Sequence, residues 1–169
     1  TKKGEVKKIS IILKSVNDYS KNKEACDIFK KTDVEFELRA LSAHRTGEEL
    51  EDYIRVNDES ISLYIAAAGK AAHLPGVIAS KTIKPVIGIP LKSSALEGMD
   101  ALLSIVQMPP GVPVATVAID GAKNAAILAC QILAVSDKTI ENKMYLYKKE
   151  MAEQVLEAEK KLLREIEMA

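Results

Sequence analysis

Short apolar runs alternate with helical patterns along most of the chain. Residues 8–13 read KISIIL, and three isoleucines in so short a run are typical of a buried strand. Similar runs predict four further strands, at 34–41, 61–67, 85–90 and 114–119. Apolar residues spaced three or four apart predict the helices that follow the strands, at 18–31, 46–56, 74–81, 95–107 and 122–134.

This alternation of strand and helix predicts an α/β fold. The expected architecture is a three-layer sandwich with a parallel sheet, flavodoxin-like or Rossmann-like, formed by residues 1–135. Ligands of such folds bind at the carboxyl ends of the strands. The chemistry is therefore expected in the loops that leave the strands, at 14–18, 42–46, 67–74 and 90–94.

The last segment, 136–169, differs in composition because it is highly charged and lacks Gly and Pro. It carries one apolar stripe at helical spacing, formed by Ile140, Met144, Tyr147, Met151, Val155, Leu162 and Ile166. A helix of this length extends roughly 45 Å at 1.5 Å per residue, more than one small domain covers. The helix either packs back on its own sheet or, as we favour, packs on a neighbouring subunit.

The composition excludes several classes of protein. The chain has 169 residues, of which 47% are apolar and 28% charged, as in a soluble globular protein. Lys plus Arg (24) equals Asp plus Glu (24), which argues against non-specific nucleic-acid binding. The sequence contains no apolar run of transmembrane length and no secretory signal at its start, so we expect no membrane partner and a cytoplasmic location. The first residue is Thr1 rather than Met, which is compatible with a processed chain or a piece of a longer one.

The cysteines and histidines are too few and too scattered to suggest a metal site. Cys26 and Cys130 lie far apart within helical patterns and are expected to be buried thiols rather than a disulfide. His44 and His73 complete no metal-ligand spacing. We therefore expect neither a metal nor another cofactor.

The segment Ser42-Ala43-His44-Arg45-Thr46 stands between a predicted strand and a predicted helix. Thr46 with Glu49 has the spacing of a capping box, which would make Thr46 the N-cap. A helix N-terminus attracts anions, Arg45 suits a phosphate, and His44 is able to exchange a proton near neutral pH. The alternative is that His44 is a structural hydrogen bonder and Arg45 a solvated charge.

Two further loops carry polar or small residues. The run AAAGKAAHLPG at 66–76 lets a ligand approach the backbone closely, but Tyr64 and Ala71 exclude a P-loop. His73 alone is more typical of a buried structural histidine than of a catalyst. In the first loop, Ser15 offers a hydroxyl, and Asp18 either caps the next helix or binds a ribose hydroxyl.

Four segments of the chain form a characteristic set: SAHRT at 42–46, AAHLPG at 71–76, SIVQMPPGVPVATVAI at 104–119 and NAAILACQILA at 124–134. Together they resemble the catalytic subunit family of phosphoribosylaminoimidazole carboxylase. The resemblance covers roughly residues 8–137, and AAHLPG is characteristic of the class that acts as a mutase. It implies a metal-free transfer of a carboxylate from the exocyclic nitrogen of 5-(carboxyamino)imidazole ribonucleotide to ring carbon four, in purine biosynthesis, by a homo-octamer.

The resemblance also implies roles for individual residues. His44 matches the general acid/base of the family. The residues that match its phosphate- and ribose-binding positions are Ser15, Asp18, Ser42 and Arg45. The residues that match the loop around the base and carboxylate are Ala68, Gly69, Ala71 and His73.

The chain departs from the family pattern at four positions. Lys14 stands where the first loop usually has Gly, and Asn17 where it usually has Ser. Ala67 and Lys70 stand where the small-residue loop often has Gly, and a non-glycine residue at positive φ costs roughly 1–2 kcal/mol. The two lysines either strengthen anion binding or fill the pocket. Two alternatives to a mutase therefore stay open. The chain is a non-catalytic or weakly active ribonucleotide-binding paralogue, or it carboxylates aminoimidazole ribonucleotide directly.

Overall fold

The computed structural model of the chain describes residues 7–168. Five strands form one parallel sheet: β1 (Lys8–Leu13), β2 (Glu35–Ala40), β3 (Ile61–Gly69), β4 (Val86–Leu91) and β5 (Ala115–Thr116). Six helices follow or separate them: α1 (Tyr19–Thr32), α2 (Gly47–Asn57), α3 (Leu74–Ala79), α4 (Met99–Val106), α5 (Ala122–Ala134) and α6 (Lys138–Glu167). The strand order β2-β1-β3-β4-β5 is that of the flavodoxin-like fold, so the predicted fold class is confirmed.

The sheet has a core on each face, as a three-layer sandwich requires. One core packs α1, α5 and the start of α6 against residues such as Ile11 and Ile65. The other packs α2, α3 and α4 against residues such as Ile12 and Tyr64. Successive residues of β1 thus point into different layers, and both layers are buried, which explains why this strand is apolar at nearly every position.

Three element boundaries predicted from the sequence differ from those in the structure. The helix predicted from residue 95 begins only at Met99, because Glu97 (φ 54°) and Gly98 (φ 91°) are left-handed and cannot lie in a right-handed helix. The strand predicted at 114–119 forms a regular ladder only at Ala115–Thr116. In the opposite direction, β3 continues to Gly69, two residues beyond its predicted end.

The two cysteines are buried free thiols, as expected. Cys26 lies in α1 and Cys130 in α5, on the same side of the sheet. Burial raises the pKa of both thiols, which leaves them protonated and unreactive near neutral pH.

The C-terminal segment is one helix, α6, as predicted. It begins at Asp137, whose carboxylate accepts hydrogen bonds from the backbone N–H of Thr139 and Ile140 at 3.0 and 3.2 Å. The first three turns pack on the chain's own core through Ile140, Met144 and Tyr147. The apolar residues beyond them are exposed in the single chain: Met151, Val155, Leu156, Leu162, Leu163 and Ile166.

Within residues 7–168, none of the helices combines the length and the apolar character that crossing a bilayer requires.

Candidate active site

The loops after β1, β2 and β3 meet at one edge of the sheet. Strand β1 lies between β2 and β3, and the helices that leave β1 and β3 cover opposite faces. This is the topological switch point at which folds of this kind bind ligands. Backbone hydrogen bonds fasten the three strand ends together, from Leu41 N to Leu13 O (2.9 Å) and from Lys14 N to Ala67 O (3.1 Å). The expected meeting is therefore observed for the loops at 14–18, 42–46 and 67–74.

The loop 42–46 is held in a tight turn by Thr46. The Thr46 hydroxyl accepts a hydrogen bond from Ser42 N at 2.8 Å and donates one to Ser42 O at 3.1 Å. Thr46 is the N-cap residue of α2, as predicted, but its hydroxyl makes no capping hydrogen bond because it is used within the loop, so the predicted capping box is wrong. The buried Ser42 Oγ accepts from Arg45 N at 3.3 Å, which leaves the Arg45 and His44 side chains on the outside of the turn.

His44 and His73 form a hydrogen-bonded pair across the two loops. His44 Nε2 lies 2.7 Å from His73 Nδ1, and the rings meet edge to face with centroids 4.8 Å apart. One of the two nitrogens must carry a proton while the other presents a lone pair. The view of His73 as a buried structural histidine is wrong, since its side chain is exposed at the end of the small-residue loop and contacts His44.

The small-residue loop brings backbone close to the site. Ala66, Ala67 and Ala68 are fully buried in β3, and a Cβ added at Gly69 would lie 3.3 Å from Leu91 O. Lys70 does have a left-handed backbone, with φ 58°, as its replacement of a glycine suggested. The backbone strain considered for Ala67 is absent, because this residue pairs with β1 and β4 in a regular strand, a conformation that any residue adopts.

A narrow recess lies between these loops, with no room for a water molecule in this structure. The residues that line it are Lys14, Ser42, Ala43, His44, Ala68, Ala71, His73 and Leu74. Five of the predicted site residues are among them, while Ser15, Asp18, Arg45 and Gly69 are not. The recess is much smaller than the groove between α1 and α6, which has a volume of about 310 Å³. The described residues that line that groove include the ion pair of Lys31 and Glu150 and no histidine, whereas His44 and His73 both line the recess.

The first loop lies beside the recess. A 3₁₀ turn at Val16–Asp18 follows β1, and Ser15 Oγ accepts a hydrogen bond from Asn17 N at 3.3 Å. Asp18 stands at the N-cap position of α1, but its side chain makes no capping hydrogen bond, so the interpretation of Asp18 as a plain cap is wrong. Burial raises the pKa of the Asp18 carboxyl, against the opposing effects of a Ser15 backbone hydrogen bond and the charges of Lys14 and Lys21.

Several cationic side chains lie along this edge of the sheet. Lys14 Nζ donates to Gly69 O at 3.1 Å, and Lys21 Nζ donates to Lys92 O at 2.7 Å near Asp120. Arg45 projects from the neighbouring loop at the N-terminus of α2. In the part of the chain that the structure describes, no three His, Cys, Asp or Glu residues stand close enough to hold a metal ion together.

The fold and the site define a doubly wound α/β protein with a histidine pair at its switch point. A comparison with protein families identifies the chain more specifically than this fold class does. The family model described as AIR carboxylase matches residues 8–154, and the chain belongs to this family.

Several similar proteins carry the name of one activity. N5-carboxyaminoimidazole ribonucleotide mutase of Pyrococcus abyssi is 52% identical over 145 residues, which cover 85% of this chain and 83% of that protein. The enzyme of the same name from Pyrococcus horikoshii is 50% identical over 161 residues, covering 95% and 91%. The crystal structure of Treponema denticola PurE superposes with a TM-score of 0.83 at 28% identity, covering 92% of this chain and 98% of that one.

Proposed function

We infer that this chain is an isomerase of purine biosynthesis, an N5-carboxyaminoimidazole ribonucleotide mutase. It moves the carboxylate of N5-carboxyaminoimidazole ribonucleotide to ring carbon four and forms 4-carboxy-5-aminoimidazole ribonucleotide. The observation that carries this inference is the pairing of His44 with His73 over the recess at the switch point. Relatives of about half-identical sequence over most of the chain bear the name of this activity.

The division of residues between the recess and its surroundings supports a binding mode. The recess is too narrow in this structure to hold a water molecule, so its loops must move apart before a ring binds between them. We assign the base and carboxylate to the recess, beside Ala68, Gly69, Ala71 and His73. The ribose and phosphate then extend past Ser42, which also lines the recess, toward Ser15, Asp18 and Arg45 outside it.

The reaction needs one group that first gives and then takes a proton, and we assign this role to His44. The His44 imidazolium gives a proton to the exocyclic nitrogen, the N–C bond breaks with its electron pair returning to that nitrogen, and carbon dioxide is released into the recess. Ring carbon four then attacks the same carbon dioxide, and the neutral His44 removes the proton from that carbon. Protons and electrons balance over the cycle, so neither ATP nor a redox cofactor is required.

His73 is assigned to hold the His44 ring in place. The 2.7 Å hydrogen bond between the two rings fixes the orientation of His44 relative to the recess. It also couples the proton on one ring to the lone pair on the other, which sets the tautomer of His44.

The site needs further cover before it can retain carbon dioxide. His44, Arg45 and His73 are all exposed in the single chain. A water-poor pocket is what keeps the intermediate beside the ring. We therefore propose a cytoplasmic homo-octamer in which the loop carrying Gln107, Met108 and Pro109 approaches His44 of an adjacent subunit.

The assay that tests this function uses N5-carboxyaminoimidazole ribonucleotide as the only substrate, with EDTA present and ATP omitted. We expect conversion to 4-carboxy-5-aminoimidazole ribonucleotide at the same rate with and without EDTA, measured by chromatography of the products. Aminoimidazole ribonucleotide with bicarbonate is the control for direct carboxylation and is expected to react far more slowly. Faster reaction of the control pair, or a loss in EDTA that a divalent ion restores, would contradict the assignment.

A further inference from the structure

Lys14 brings a positively charged side chain to the lining of the recess, with its ammonium hydrogen-bonded to Gly69 O. It follows β1 directly, is half-buried, and lines the recess together with His44 and His73. Among residues 7–168 it is the one Lys or Arg in the lining. Its position therefore requires an explanation beyond general surface charge.

The surroundings of the Lys14 ammonium are those of a cation without an anion. An ammonium has three N–H donors, and the hydrogen bond of Lys14 goes to a neutral acceptor, Gly69 O, at 3.1 Å. Within the described range 7–168, no carboxylate lies within ion-pair distance of Lys14 Nζ. Asp18 is near enough for Lys14 to lower its pKa, but it does not line the recess. Partial burial of an unpaired charge is unfavourable, and an anionic ligand group would remove that cost.

The location of Lys14 indicates which of the two anionic groups of the proposed substrate it binds. The phosphate is assigned outside the recess, near Ser15 and Arg45. The carboxylate is assigned inside it, between Ala68 and the histidine pair, where Lys14 also lies. We propose that Lys14 is a specificity-determining residue that binds the migrating carboxylate and so distinguishes carboxylated from uncarboxylated aminoimidazole ribonucleotides. This inference rests on the proposed function of the same site.

Lys70 provides a matched comparison on the same edge of the sheet. It is the other lysine that replaces an expected glycine, but it is exposed and does not line the recess. Its left-handed backbone, with φ 58°, lies at the bend that directly follows β3. The two added lysines are therefore expected to behave differently.

The test compares two ligands that share the ribose phosphate and differ by one carboxylate. Calorimetry measures the affinity of the full-length protein for 4-carboxy-5-aminoimidazole ribonucleotide and for 5-aminoimidazole ribonucleotide. In Lys14→Met we expect about 10- to 100-fold weaker binding of the carboxylated ligand, the scale of a lost charged hydrogen bond, and about unchanged binding of the other. Lys14→Arg should recover part of the loss, and Lys70→Met should change neither affinity. The thermal unfolding midpoint shows that each variant is folded.

Other outcomes would overturn the proposal in distinct ways. Equal weakening of both ligands would make Lys14 a phosphate binder, and no change in either would make it a structural residue bonded to Gly69. Tighter binding of both would show that the side chain obstructs the base. If the unaltered protein converts its substrate while the variant gives one of these results, the role of Lys14 alone fails. If the unaltered protein binds neither nucleotide, the proposed function fails as well.

Discussion

Replacing His44 with Asn is expected to lower turnover by at least about two orders of magnitude, the usual scale for a lost acid/base group. Asn fills a similar volume and retains a hydrogen-bonding group toward His73, but it cannot exchange a proton. The side chain of His44 is exposed and contributes little to the core, so the unfolding midpoint should not change. Steady-state kinetics of His44→Asn check the prediction.

The affinity for ligand provides the internal control. If the ribose and phosphate bind through Ser15, Asp18 and Arg45, the Asn variant should bind 4-carboxy-5-aminoimidazole ribonucleotide about as well as the unaltered protein. Turnover within a few-fold of the original value would exclude His44 as the acid/base. A parallel loss of binding would show that His44 recognises the ligand instead.

Removing the exposed part of α6 is expected to lower the oligomeric state and the activity together. A cut after Ser136 would remove Ile140, Met144 and Tyr147 from the core and so destabilise the domain itself. A cut after Glu150 keeps these residues and removes the uncovered apolar positions beyond. Exposed apolar surface of this extent usually marks an interface, and Val155 and Ile166 are 69% and 62% exposed. Light scattering should report a smaller assembly, with activity reduced at least about tenfold because the site is open to water.

Two point variants separate loss of the interface from loss of the segment. Val155→Lys places a charge on the apolar stripe and should reduce the assembly as the cut does. Glu153→Lys adds the same side chain on the other side of the helix, where Glu153 lies 3.8 Å from Lys149, and should leave the assembly intact. A truncated chain that retains the full assembly, or an intact chain that is monomeric, would refute the role of this helix.

The fold was predictable because its signals are local and repeated. The central strands β1, β3 and β4 are apolar at nearly every position because helices cover both of their faces, whereas the partly exposed edge strand β2 was identified from alternating apolar residues. The boundaries were less predictable where single backbone angles decide them. The left-handed Glu97 delays α4, and nothing in its side chain indicates this conformation.

The site was predictable in its loops but not in its contacts. The carboxyl ends of parallel strands meet at one edge, so the clustering of residues 14–18, 42–46 and the loop after β3 followed from topology alone. The pairing of His44 with His73 depends on side-chain directions across two loops that are distant in sequence. The hydrogen bond from Lys14 to Gly69 O was equally unpredictable, because it depends on tertiary geometry that the periodicity of the sequence does not encode.

A mutase transfers one and the same carboxylate from the exocyclic nitrogen to ring carbon four. The most direct measurement supplies N5-carboxyaminoimidazole ribonucleotide labelled with carbon-13 in the carboxylate, in buffer that contains unlabelled bicarbonate. Mass spectrometry of the 4-carboxy-5-aminoimidazole ribonucleotide formed early in the reaction then gives the fraction of label retained. The mutase mechanism predicts that nearly all of the product keeps the label. Product whose carboxylate comes mainly from the unlabelled pool would contradict it and indicate carboxylation by free carbon dioxide.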